Sequence, residues 1–145
     1  MNGTKFGTPV NILLVEDNPG DVDLIRESIE KSTLHCTLSV AVNGEAAMRF
    51  LRKTGKDADS PRPDLVLLDL NLPKKSGHDV LAEIKADSTL RQIAVMVLTS
   101  SQDEEDKFRS YGSHAYSYVK KPASVDQMPQ VVEAIEKVLR AQVPL

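Results

Sequence analysis

Four short apolar runs each end in a reactive polar residue, and no other feature constrains the fold of this chain as much. Ile12 to Val15 runs into Glu16 and Asp17, Leu65 to Leu68 into Asp69, Val95 to Leu98 into Thr99, and Tyr118-Val119 into Lys120 and Lys121. Runs this short and this uniformly apolar suit strands of a parallel sheet covered by helices on both faces. In an open sheet of that kind, residues at the strand ends converge on the carboxyl edge, where such folds bind ligands. Three carboxylates, a hydroxyl and an ammonium then meet in one cleft.

The segments between the runs read as helices and connections. Asn18 suits an N-cap, Pro19 the first helical position and Asp21 the first turn, with Val22, Ile25 and Ile29 on one face. Cys36 to Val42 predicts a second strand, and Asn43-Gly44 opens a helix carrying Ala47, Phe50 and Leu51. The polar stretch from Lys53 to Pro63, with Gly55, Pro61 and Pro63, predicts a surface loop. Strand three is expected at Asp64 to Leu68. A turn-rich stretch from Asn71 to Gly77 follows, then a short helix with Val80, Leu81 and Ile84 inward. Ala94 to Leu98 predicts strand four, Ser101 to Tyr111 a weakly amphipathic fourth helix, and Ala115 to Val119 strand five. The last helix carries Met128, Val131, Val132, Ile135, Val138 and Leu139 at helical spacing. Five βα units in alternation predict an α/β fold with a doubly wound parallel sheet.

Composition excludes several function classes. A chain of 145 residues matches one domain, taken here as 1–145, and can bury a single core. Its 18 Lys and Arg against 21 Asp and Glu leave a charge of 18 − 21 = −3. That balance offers no general attraction to nucleic acid or to an anionic membrane. Cys36 is the sole cysteine, so no intramolecular disulfide forms and a reducing cytoplasm is the default location. No apolar stretch nears the ~20 residues of a membrane span, and polar Met1 to Pro9 lacks a signal-peptide core.

The polar constellation has a specific chemistry. Glu16, Asp17 and Asp69 supply hard oxygen ligands, and a site with few carboxylates suits Mg²⁺, which keeps much of its water. An aspartate can also accept a phosphoryl group as a carboxylate nucleophile. Crowded acids repel a phosphoanion unless a divalent ion and a lysine neutralise it, so one site needs both charges. Thr99 offers a hydroxyl to a phosphoryl oxygen. Taken singly, each residue has a plainer reading: a solvated acid pair, a turn-capping aspartate, a turn threonine, a solvated lysine, a packing tyrosine. Their occurrence in order, each at a strand end, is what points to a site. The histidines His35, His78 and His114 show neither metal-ligand spacing nor a Ser-His-Asp order.

At these residues the chain resembles the receiver domains of bacterial two-component response regulators. The motifs are LLVEDN at 13–18, VLLDLNLPKKSG at 66–77, VLTSS at 97–101 and YVKKP at 118–122, and the likeness spans about Asn11 to Ala141. The resemblance implies a flavodoxin-like (βα)5 fold with strand order 2-1-3-4-5, in which Asp69 takes phosphate from a phosphohistidine on a sensor histidine kinase. Glu16 and Asp17 match the acidic pair and Asn71 lends a backbone carbonyl to Mg²⁺. Thr99 matches the signalling hydroxyl, Lys121 the lysine and Tyr118 the aromatic switch. The doubled lysine leaves two candidates, of which Pro122 favours Lys121 by the family pattern. The Lys121-Pro122 bond is expected to be cis.

VEDNPGDVDLIRE, the long Lys53 to Pro63 loop and NLPKKSGHDVLAEIK are similar to small regulators paired with cyanobacterial phytochromes. This implies a single-domain phosphoacceptor, not an enzyme beyond its own phosphorylation and slow autodephosphorylation. It also implies a homodimer through the face of the fourth helix, fifth strand and last helix. Kinase docking is expected on helix one at Pro19, Val22 and Ile25, the last two of which also suit the core. A rival, an Mg²⁺-dependent aspartyl phosphohydrolase, places a second acid two residues after the first, where this chain has Asn71. A nucleotide-binding domain needs a glycine-rich phosphate loop, and VEDNPGD has one glycine between acids.

Overall fold

In the computed structural model, residues 9–70, 72, 75–99, 103, 105, 106, 117–122 and 125–142 are described. The apolar runs pair as one parallel sheet of β1 (Val10–Val15), β2 (Cys36–Ala41), β3 (Leu65–Asp69), β4 (Ala94–Thr99) and β5 (Ser117–Lys120). Its order is β2-β1-β3-β4-β5, the expected flavodoxin-like arrangement. Every residue of β3 and β4 is buried, as continuous apolar runs between two helical layers require.

Alternation along the strands separates two cores. Ile12, Leu14, Leu65, Leu67, Met96 and Leu98 face α1 (Pro19–Lys31) and the last helix (Met128–Gln142). Leu13, Val15, Val66, Leu68, Val95 and Val97 face α2 (Gly44–Arg52) and α3 (Gly77–Ala86). The period of two that turns successive side chains to opposite faces accounts for this division. Val22 and Ile25 are buried against the first core. They belong to the packing, so of the expected docking residues only Pro19 is exposed.

Helix starts follow their caps. Asn18 accepts from the Asp21 N–H at 3.1 Å, Asn43 from the Ala46 N–H at 2.8 Å and Ser76 from the Asp79 N–H at 3.2 Å. Each satisfies an N–H that the first helical turn leaves without a partner. Two glycines allow close approaches near the carboxyl edge. A Cβ on Gly44 would lie 2.3 Å from the Lys75 carbonyl oxygen, and one on Gly77 2.5 Å from that of Asp69.

Several boundaries differ from expectation. β2 ends at Ala41, leaving Val42 exposed. β3 and β4 run one residue further than predicted, because the parallel ladder pairs Asp69 with Leu98 and Thr99 with Lys120. The Lys53 to Pro63 stretch holds a 3₁₀ turn at Gly55–Asp57. It is tied back by Arg49 to Asp57 at 3.3 Å and by the Ser60 hydroxyl to the Phe50 carbonyl at 2.7 Å. Most of the predicted fourth helix, and Ala115 and Tyr116 of strand five, lie outside the described residues; Asp103, Glu105 and Asp106 are helical. No peptide bond among the described residues is cis, so Lys121-Pro122 is trans, against expectation. The trans isomer is the lower in energy by roughly 0.5–1 kcal/mol for X-Pro bonds.

Candidate functional site

The carboxyl ends of β1, β3, β4 and β5 meet where the strand order predicts a cleft. Glu16 follows β1 directly, its N–H extending the ladder to the Ala41 carbonyl at 3.0 Å. Asp69 and Thr99 are the last residues of β3 and β4, and both are buried. One carboxylate oxygen from each of Glu16, Asp17 and Asp69 falls in a group whose members all lie within 4.8 Å of one another. Asp17 is exposed and the other two are not, so the trio opens to solvent on one side.

Lys121 provides the countercharge. Its Nζ lies 2.9 Å from Glu16 Oε1, 3.0 Å from Asp21 Oδ2 and 3.4 Å from Asp69 Oδ1. Lys120, one residue earlier, is exposed; Lys121 is therefore the member of the pair that reaches the acids. Its backbone N–H donates to the Thr99 carbonyl at 2.6 Å, carrying the β4–β5 pairing one residue past β5. Tyr118 sits half-buried in β5 opposite Val97, against the core that faces α2 and α3. Asn71, expected to lend a carbonyl, lies outside the described residues.

The charges act strongly on one another. Burial pushes the Glu16 carboxyl up to about 7 against the pull of Lys121, and the Asp69 charge adds to the rise. Burial works to lower the Lys121 ammonium, but its bonds to Glu16 and Asp21 and the charge of Asp69 outweigh it and hold it above the usual lysine value. Glu16 Oε2 accepts from the Asn18 N–H at 3.2 Å. Glu16 Oε1, fully buried, meets the Lys121 ammonium at 2.9 Å. A buried carboxylate oxygen in that position costs free energy unless a charge meets it. Three hard oxygen donors, one so placed, fit a divalent cation.

Asp21 is the residue that sequence reasoning passed over, having been assigned only to the helix dipole. Its place in the first turn of a helix that starts at the carboxyl edge was the available signal.

A parallel sheet that gathers acids around one ammonium at its carboxyl edge has the charges to hold a cation beside an anionic group. The chain matches the response regulator receiver domain family over residues 12–133, and it belongs to that family. It is 45% identical over 128 residues to the response regulator Rcp1 of Synechocystis sp., covering 88% of this chain and 87% of that protein. The structure of the phosphorylated cyanobacterial phytochrome response regulator RcpA superposes with a TM-score of 0.83 at 45% identity, covering 95% of this chain and 99% of that one. The Mn²⁺-bound form of Rcp1 gives a TM-score of 0.80 at 44% identity over 94% and 99% of the two chains. The protein is thus a receiver-domain response regulator with a phosphoacceptor role in two-component signalling.

Proposed function

We propose that Asp69 is the phosphoacceptor, that Glu16, Asp17 and Asp69 hold Mg²⁺, and that Thr99 and Lys121 bind the phosphoryl oxygens. A carboxylate oxygen of Asp69 forms the new O–P bond as the P–N bond of a phosphohistidine on a sensor histidine kinase breaks. The observation that carries this reading is the Lys121 ammonium 3.4 Å from the Asp69 carboxylate, at the rim of the acid trio. The positive charge that Mg²⁺ supplies when bound offsets repulsion between the acids and the incoming phosphoryl group. Lys121 adds a fixed cation that needs no reorganisation at the moment of transfer. Thr99, buried at the end of β4, has a hydroxyl to give a phosphoryl oxygen.

Loading of Asp69 then biases a two-state switch. The Thr99 hydroxyl moves towards the phosphoryl group, Tyr118 turns inward, and the surface around β5 and the last helix changes. The likeness to a phytochrome response regulator supports a phytochrome-type histidine kinase as donor, and the assembly that goes with this reading is a homodimer through the face of the fourth helix, β5 and the last helix. The protein acts in the cytoplasm and turns over no external substrate. Among the described residues, no helix is long and apolar enough to cross a membrane.

The test is the intact mass of wild type and Asp69→Asn after incubation with Mg²⁺ and a small acyl phosphate. A single phosphoryl adduct on wild type alone is expected. Adducts on both proteins, or none on either with Mg²⁺ bound, overturn the assignment.

A further inference from the structure

Asp21 has no place in the transfer just described, yet its carboxylate lies 3.0 Å from the Lys121 ammonium, nearer than Asp69 at 3.4 Å. A capped helix sets it there: its N–H is held by Asn18 Oδ1 at 3.1 Å in the first turn of α1. Of the three acids around the ammonium among the described residues, Glu16 and Asp69 belong to the trio that fits a cation. Asp21 does not. It therefore remains as a competing anion for Lys121 when the trio is occupied. Its side chain is 35% exposed, so the competition is moderated by solvent but not abolished.

We propose that Asp21 is a positioning residue that holds the Lys121 ammonium in the resting state and competes with the phosphoryl oxygens for it, thereby setting how readily the site is loaded. The proposal rests on the reading of Asp69 as acceptor. Removing the Asp21 charge frees the ammonium for the phosphoryl group. The isosteric amide leaves the start of α1 in place.

Phosphorylation by a small acyl phosphate at saturating Mg²⁺ is compared in wild type, Asp21→Asn, Asp21→Glu, Lys121→Ala and the Asp21→Asn/Lys121→Ala double variant, with thermal midpoints as a check on folding. Asp21→Asn is expected to load roughly three- to fivefold faster, the effect of a partly exposed ion pair. Asp21→Glu returns the rate towards wild type. The gain vanishes without Lys121, which identifies an effect exerted through the lysine. Equal or slower loading of Asp21→Asn, or a gain that persists in the double variant, overturns the proposal. If wild type takes no phosphoryl group, the reading of Asp69 fails instead. The ¹⁵N-detected water exchange of the Lys121 ζ-ammonium in the resting protein then decides: faster exchange in Asp21→Asn supports the holding role, and unchanged exchange ends it.

Discussion

Lys121 and Thr99 are joined by a backbone hydrogen bond of 2.6 Å, from the lysine N–H to the threonine carbonyl. The bond sets the ammonium-bearing residue and the hydroxyl-bearing residue in fixed register at the ends of β5 and β4. The first prediction follows from that register, because Lys120 is paired one position earlier and is exposed. Lys121→Ala should slow phosphorylation by an acyl phosphate by roughly 10²-fold, the scale for losing one preorganised countercharge. Lys120→Ala should stay near wild type. Equal losses in the two variants would contradict the assignment.

Burial raises the Glu16 carboxyl from 4.5 to about 7 in the folded protein. A raised folded-state value makes this group's contribution to stability most favourable below about 4.5, and the contribution is lost as pH climbs towards about 7. In chelator, Glu16→Gln should therefore gain on wild type across that interval, by no more than ~3 kcal/mol. Urea midpoints of both proteins at several pH values measure the gap. A gap that stays flat from pH 4 to 8 would mean that the carboxyl is not perturbed.

Gly77 is the first residue of α3, a position where alanine is ordinarily well tolerated. Here a Cβ would sit 2.5 Å from the Asp69 carbonyl oxygen and 2.9 Å from Leu70 Cα. Gly77→Ala has to push the backbone behind Asp69 aside, at a cost of roughly 1–3 kcal/mol. Mn²⁺ affinity, followed by paramagnetic relaxation of water, should weaken along with the denaturation midpoint. Unaltered values of both would show that the helix start moves without strain.

Phosphorylation should alter backbone amide shifts from Ser101 to Val119 while those of α2 stay nearly fixed. Sedimentation of the phosphorylated and resting forms should give a mass near twice 15.9 kDa at high concentration. Masses of 15.9 kDa in both forms would reject the dimer, and unmoved shifts would reject the switch.

The strands were readable because β1, β3 and β4 are buried on both faces, a condition that writes itself as an unbroken apolar run. Asn18 and Asn43 marked helix starts for an equally local reason, since each accepts from the N–H three residues on, and Pro19 did so because its fixed φ suits the first helical turn. Glu16, Asp17, Asp69, Thr99 and Lys121 were placed at one edge by the same logic, and the structure brings the three acids and Lys121 together there. The side-chain directions of Val22 and Ile25 were open, because helical spacing defines an apolar face without saying whether sheet or partner covers it. The trans Lys121-Pro122 bond went against the family pattern and follows the ordinary preference of an X-Pro bond.

The order of apolar runs and polar punctuation by itself determined the alternation of strands and helices, the edge at which the reactive groups collect and the identity of the acids. Burial periodicity and capping act over a few residues, and a linear sequence records them. The tertiary structure alone decided that Asp21 shares the Lys121 ammonium from 100 residues away and that burial raises the Glu16 carboxyl above its ordinary value. Each of these depends on ångström-scale distances between charges on different elements. The dielectric around them is also set by how much of each group the packed helices cover.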